Sequence, residues 1–357
     1  MTTASTRRAE PGQSTDSMAQ SLRGMAVLVT GATGLVGNNV TRQLIDHGAH
    51  VRCLVRSASR PRPLEELDVE LVVGDVCDES SVMRAMREQQ VVVHAAGDVA
   101  IGWSRCRQAK CVNTEGTRLV ATGARRLNAR MIHISTVNTM SVGGDQVVAD
   151  EETPWSGREV ASNYVSSKRR AEELVREQLG KGLDAVVLCP GFMLGPWDWK
   201  PSSGQMFLAV ATRFSGLAPG GRCSVCDVRD VSQGICRSIV AAESGRRYIL
   251  AGENMSYLTL WQAMAAATNG YRPVGCLGPV GSLIVGRAGD LWGQLRGAEP
   301  TINSASMAMA SQYHYYDSSR AVRDLGYHVR PLQQTLADAW EWFCRFGYGP
   351  EKLRQAA

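Results

Sequence analysis

The stretch "MAVLVTGATGLVG", residues 25–37, sets an apolar run against three glycines spaced by three: Gly31, Gly34 and Gly37. The helix-periodic stretch "LVGNNVTRQLIDHG", 35–48, follows at once. A strand that turns through glycines into a helix brings the helix's unpaired N–H groups to the strand end, and the missing side chains let a phosphate reach the backbone. The sequence context gives the three letters their value. Gly31, Thr33, Gly34, Leu35, Val36 and Gly37 are therefore read as a pyrophosphate-binding loop. The competing reading is a tight strand–helix turn that holds no ligand.

Working outward, the same alternation repeats. Short β-branched runs stand at "HVRCLV" (50–55), "VELVVG" (69–74), "VVVHAA" (91–96), "RMIHIST" (130–136) and "DAVVLCP" (184–190), with helix-periodic stretches between them. Continuous apolar runs suit strands covered on both faces, and strand–helix alternation implies parallel βαβ units. The expected fold is α/β: a doubly wound parallel sheet of the Rossmann kind over 24–200. After "GPWDWKPSSG" (195–204) the texture becomes short helical patterns rich in Ala and Met, with "GRRYILAG" (245–252) as a strand. Residues 201–357 are read as a smaller, mostly helical substrate lobe, interleaved with the sheet domain.

Composition excludes several function classes. A net charge of +5 without a Lys/Arg block argues against a nucleic-acid partner. Residues 1–23 are polar and lack an apolar signal core, so they are read as a disordered tail, the Arg7–Arg8 pair notwithstanding, and the protein as cytoplasmic. No apolar stretch reaches the ~20 residues of a membrane span. The nearest, 273–295, is broken by glycines, Arg287 and Asp290. It is read as a surface helix capping an apolar pocket, with shallow membrane contact as the second reading. The ten cysteines are taken as reduced thiols, and the single CxxC, Cys223 to Cys226, as incidental, with no metal site.

The end of the second run bears on the dinucleotide. An NAD site usually carries an acidic residue there for the ribose hydroxyls. "HVRCLVRSASR" instead presents Arg56, and a guanidinium suits a 2′-phosphate. NADP(H) is the expected cofactor, with NAD as the alternative. Asp75 and Val76 of "GDV" are placed near the adenine, and Ala95, Ala96 and Gly97 of "HAAG" against the cofactor at the sheet edge. "NYVSSK" puts Tyr164 and Lys168 on one helix face, where an ammonium lowers a phenol's pKa from ~10. Thr136, or else Ser135, ends the fifth run as a hydroxyl partner for a reacting oxygen.

In order, "TGATGLVG", "GDV", "HAAG", "VNTEGT", "ISTV", "YVSSK", "PGFMLGPWDWKPSSG" and "YYDSSRAVRDLGYHVRPLQQTLADAWEWF" resemble the extended short-chain dehydrogenase/reductases over about residues 24–347. Within that family the chain is most similar to the group of dihydroflavonol 4-reductases, 3β-hydroxysteroid dehydrogenases and bacterial epimerase/dehydratase-like proteins. The resemblance implies Tyr164 as acid/base, Lys168 as its tuner and a ribose ligand, and Thr136 as orienter of the substrate oxygen. It also implies Asn113 in the helix after the fourth strand, and Pro190 and Gly191 at the nicotinamide carboxamide. By the same analogy Trp197, Trp199, Met206 and Phe207 border the substrate, and a homodimer forms through helices flanking the sheet. One departure stands out: sugar-nucleotide dehydratases of the family follow this Thr with Asp-Glu, and here Val137 and Asn138 follow it.

The leading expectation is an NAD(P)-dependent oxidoreductase acting on a carbonyl or secondary alcohol. A nucleotide-sugar epimerase with retained NAD is the alternative, distinguished by cofactor absorbance in the purified protein. A non-catalytic dinucleotide sensor is the third reading, and a Tyr164→Phe variant separates it from the enzymes.

Overall fold

A computed structural model describes residue 18 and residues 20–57, 61–103, 106–144, 147–213 and 216–349. Its centre is a seven-stranded sheet, all parallel. The strands are β1 (Ala26–Thr30), β2 (His50–Val55), β3 (Glu70–Val73), β4 (Val91–His94), β5 (Arg130–Ile134), β6 (Ala185–Pro190) and β10 (Arg247–Leu250). Their spatial order is β3-β2-β1-β4-β5-β6-β10. The six expected runs are all strands, and "GRRYILAG" supplies the seventh, which joins β6 at the sheet edge.

Alternation along each strand explains why apolar runs were needed. Val27, Val29, Val91, Val93, Ile132 and Ile134 bury on one face, beneath helices α1 (Leu35–Asp46) and α6 (Val228–Ala241). Leu28, Val92, Met131 and Val187 bury on the other, beneath α2 (Glu79–Met86), α3 (Thr117–Arg126) and α4 (Asn163–Leu179). Each fully buried side chain of this size contributes about 1.5–3 kcal/mol.

The lobe carries α5 (Ser203–Thr212), α7 (Tyr257–Thr268), α8 (Pro279–Arg296), α9 (Ser304–Met309) and α11 (Leu332–Arg345), while α10 (Ser319–Leu325) packs with α6. Two small sheets accompany them. In one, β7 (Phe192–Leu194) and β11 (Glu253–Ser256) flank β9 (Arg222–Asp227); in the other, β8 (Leu217–Ala218) pairs with β12 (Gly275–Cys276). Among the described residues no helix is long and apolar enough to cross a membrane.

Two expectations are corrected. Residues 1–17 and 19 of the expected tail lie outside the described residues, but Met18 and Leu22 are buried in the core beneath the sheet, so the tail reading does not hold to residue 23. The cysteines are not all thiols. Cys77, after β3, is bonded to Cys111, with Cα atoms 6.1 Å apart. These residues stand 34 apart in sequence, and only the fold brings them together. Cys223 and Cys226 are free and buried in β9, and burial pushes both thiols up.

Candidate active site

The strand order reverses between β1 and β4, and a doubly wound sheet holds its ligand outside the carboxyl ends at that point. Gly31 leaves β1 with φ +76°. A Cβ there would stand 2.6 Å from the Ala95 carbonyl carbon and the Ala96 nitrogen. The loop and the end of β4 are thus in backbone contact, which only glycine permits. At Gly37 a Cβ would run into the Gly31 carbonyl. Helix α1 starts from Gly34 without a side-chain cap, so its first N–H groups have no side-chain acceptor. Thr33, Leu35 and Val36 sit half-buried between these glycines. Arg56 is exposed just beyond β2. Asp75 Oδ1 accepts from the Cys77 N–H at 2.9 Å, and Val76 lies against Gly116.

A π-helical stretch, Lys110–Gly116, precedes α3 and carries Asn113 inward. Such stretches are rare and frequent at functional sites. Asn113 Oδ1 accepts from the Asp98 N–H at 2.7 Å. Its Nδ2 donates to the Asp98 carbonyl and to Ser167 Oγ, both at 2.9 Å. Asn113 therefore ties the loop after β4 to helix α4. A Cβ on Gly97, in that loop, would lie 3.3 Å from Asn113 Oδ1 and 3.4 Å from Lys168 Nζ. Gly97, Asn113 and Lys168 are thereby brought together beside the glycine loop's partner strand.

Ser162 caps α4 by accepting from the Val165 N–H, and the helix turns Tyr164, Lys168 and Glu172 inward at intervals of four. The Thr136 side chain lies near enough to the Tyr164 hydroxyl to lower its pKa. Of the two hydroxyls at the end of β5, Thr136 thus faces the phenol. Ser135 Oγ turns away and donates to Glu172 Oε1. Lys168 Nζ donates to the Ile134 carbonyl at 2.9 Å.

The expected acidification of the phenol is not met. Burial pushes Tyr164 above its ordinary value, Thr136 pulls it partly back, and Lys168 is not among the causes. The ammonium one turn away is spent on the Ile134 carbonyl and is itself buried. Burial brings Lys168 down to about 8 against the opposing pull of Glu172. Behind the lysine, Thr139 Oγ1 donates to Glu172 Oε1 at 2.5 Å and Arg247 Nη1 to Oε2 at 3.5 Å. Two further imidazoles lie under the site. His94, bridging Thr30 and Thr117, is lowered by burial to about 3, and His133 stacks on it and is lowered well below its ordinary value.

Sequence reading missed Glu172, whose signal was its place four residues after Lys168. It also missed Met309 of α9 and Ile101 and Val160, which pack around Tyr164 and Val165. Pro190 ends β6, and Gly191 donates to the Leu250 carbonyl at 3.1 Å. Phe207 belongs to the apolar core of the lobe, and Trp197, Trp199 and Met206 are half-buried against it. Phe207 is fully buried beside Trp340 and Phe343, so it borders no surface. Trp197 and Trp199 pack on Trp342 and Phe346, and the Arg42 guanidinium covers the Trp197 ring at 3.4 Å.

Comparison with known proteins identifies the family. The profile of the NAD dependent epimerase/dehydratase family matches residues 27–251. A protein of Synechocystis sp., named as a candidate dihydroflavonol 4-reductase, is 32% identical, the match covering 90% of this chain and 95% of that one. Sterol demethylase protein B of Methylococcus capsulatus is 30% identical, covering 89% and 98%. The crystal structure of gox2253 superposes with a TM-score of 0.80 at 31% identity, over 91% of this chain and 99% of that one. The chain belongs to the NAD-dependent epimerase/dehydratase family, as an oxidoreductase of the extended short-chain dehydrogenase/reductase type.

Proposed function

We propose that the protein is an NADPH-dependent reductase, reversible as a dehydrogenase, for a carbonyl or secondary alcohol carried on an apolar, ring-bearing body. The observation that carries this reading is the buried Tyr164, on the same helix face as Lys168, with Thr136 near its hydroxyl and the sheet's switch point beside it. The surrounding residues fit a dinucleotide. Gly31 and Gly37 leave a cradle that side chains would fill, and α1 opens on it with no side-chain cap. Asp75, Val76, Ala95, Ala96, Gly97, Asn113, Lys168, Pro190 and Gly191 would line the rest. When bound, the nicotinamide supplies a hydride to the carbonyl carbon or takes it back from the alcohol.

The chain's own residues do the remainder. Thr136 orients the carbonyl oxygen, and Tyr164 gives it a proton. Burial keeps the phenol protonated through neutral pH, which suits a donor in the reducing direction. The ammonium of Lys168, fixed by the Ile134 carbonyl, offsets negative charge as that proton leaves. Arg56 supports a 2′-phosphate and hence NADPH. The Synechocystis and Methylococcus relatives are named for dihydroflavonol and sterol, both with fused-ring bodies, which supports the substrate class.

The test is oxidation of NADPH and NADH by the purified protein with steroid and flavanone ketones, followed by reduced-nicotinamide absorbance. Turnover with NADPH is expected, and Tyr164→Phe should lose turnover while it keeps dinucleotide binding. Undiminished turnover in that variant rejects the role of Tyr164. Tightly held NAD with no net consumption favours an epimerase.

A further inference from the structure

Helix α8 is built inside out. Its positions Ser282, Gly286 and Gly293 face the protein. Glycine is required where α8 crosses the start of α9, since a Cβ at 286 would stand 2.8 Å from Ser304 Cα. The opposite face carries Val280, Leu283, Ile284, Leu291 and Leu295, which recur at helical spacing and are each 59–75% exposed. Trp292 adjoins them at 53%. The surface helix read from the sequence is present, but its large apolar residues point outward and are exposed. Single exposed apolar residues are ordinary, whereas a contiguous stripe marks a contact surface.

The charges around the stripe select the occupant. Arg287 is exposed in the middle of it, and the Arg296 guanidinium lies 4.4 Å from the Trp292 ring centre. The acids of this region are turned inward: Asp290 accepts from the Ser304 N–H and Glu299 from the Trp103 N–H. The outward face is thus apolar and cationic. A second copy paired across a two-fold axis through this stripe would set Arg287 against its own equivalent with no acid between. A bilayer surface with anionic headgroups matches both features, with the leucines below the headgroups and the arginines among them.

We infer that α8 docks the protein on the surface of an anionic membrane. The inward face of α8 is linked to the proposed site through α9. Asn303 Nδ2 donates to the Ile101 carbonyl at 2.8 Å, and Met309 of α9 packs with Tyr164. The docking stands apart from the proposed reductase activity and is measured without turnover.

The experiment is co-sedimentation of the full chain with vesicles of phosphatidylcholine alone and of phosphatidylcholine mixed with phosphatidylglycerol. Binding to the mixed vesicles is expected, weakening as salt rises. The triple variant Leu283→Ser, Leu291→Ser, Leu295→Ser should lower partitioning on the order of a hundredfold. Its melting temperature should hold, because none of the three supports the core. Arg287→Gln with Arg296→Gln should lower it roughly tenfold on the mixed vesicles. Wild-type protein that stays in the supernatant with both vesicle types overturns the inference. So does vesicle binding that the triple variant leaves unchanged, or a wild-type dimer that the triple variant splits without any vesicle binding, which would assign the face to a second copy.

Discussion

The charge on Lys168 should be visible in the pH dependence of reduction, and Glu172 should set where it is lost. Burial brings the lysine from 10.5 to about 8, a displacement equivalent to about 3 kcal/mol against the charged form. Glu172, one turn further along α4, is the largest opposing influence. If the charged lysine is required when Tyr164 gives up its proton, kcat/KM for reduction holds at neutral pH, halves near pH 8 and falls about tenfold for each further unit. Glu172→Gln removes the charge while keeping the shape and one oxygen for Ser135 and Thr139. The fall should then begin at lower pH, by on the order of one unit. The assay is kcat/KM with the best ketone substrate from about pH 6 to 10 for both proteins, with thermal melting to confirm that the variant is folded. A merely structural role for Glu172 would lower activity at all pH values and leave the inflection in place. A flat wild-type profile across about pH 7 to 9, or inflections that coincide, refutes the reasoning.

Gly31→Ala adds a Cβ 2.6 Å from the Ala95–Ala96 peptide at a left-handed backbone position; calorimetric titration should show dinucleotide binding lost and a lower melting temperature. Arg56→Asp should lower the NADPH-over-NADH ratio of kcat/KM by about tenfold or more, and an unchanged ratio removes Arg56 from cofactor choice. Acid should destabilise the fold through His94. Its folded pKa of about 3 lies below the 6.5 of the unfolded chain, so the unfolded state binds the proton first. Stability is full above about pH 6.5 and falls toward pH 3, with a loss of about 2 kcal/mol from this residue by pH 5. Urea denaturation should show a smaller loss over the same range for His94→Gln; equal slopes would contradict the assignment.

Much of this molecule was legible before any coordinates. The strands announced themselves because both faces of the sheet are covered at its centre, so β1, β4, β5 and β6 had to be mostly apolar. The glycine loop and the Tyr164–Lys168 spacing are local features and survive without tertiary knowledge. What stayed hidden depends on partners distant in the chain. Glu172 sits in "KRRAEELVREQ", which reads only as a strong helix former; Ser135 just past β5 and Arg247 from β10 make it a buried acceptor. Cys77 and Cys111 meet only because β3 and the π-helical stretch adjoin. The phenol's shift followed burial, which spacing does not report. The aromatic residues near 197–207 were recognisable as a cluster, but composition cannot say that Phe207 among them is fully buried.

Helix α8 shows the same limit from the other side. Periodicity identifies which residues share a face and is silent on which way the face points. The usual inference sends the large apolar stripe inward, because burial of that stripe stabilises the fold. In α8 the small stripe was the stronger constraint. A helix that must lie against the backbone at the start of α9 has room there only for glycine and serine, so the bulky residues are driven outward whatever their hydration cost. A chain that keeps six large apolar side chains in water for that reason gains from a surface that removes them from it. The catalytic reading and the docking reading thus concern two ends of one structural unit, with Met309 beside Tyr164 at one end and Leu291 in the solvent at the other.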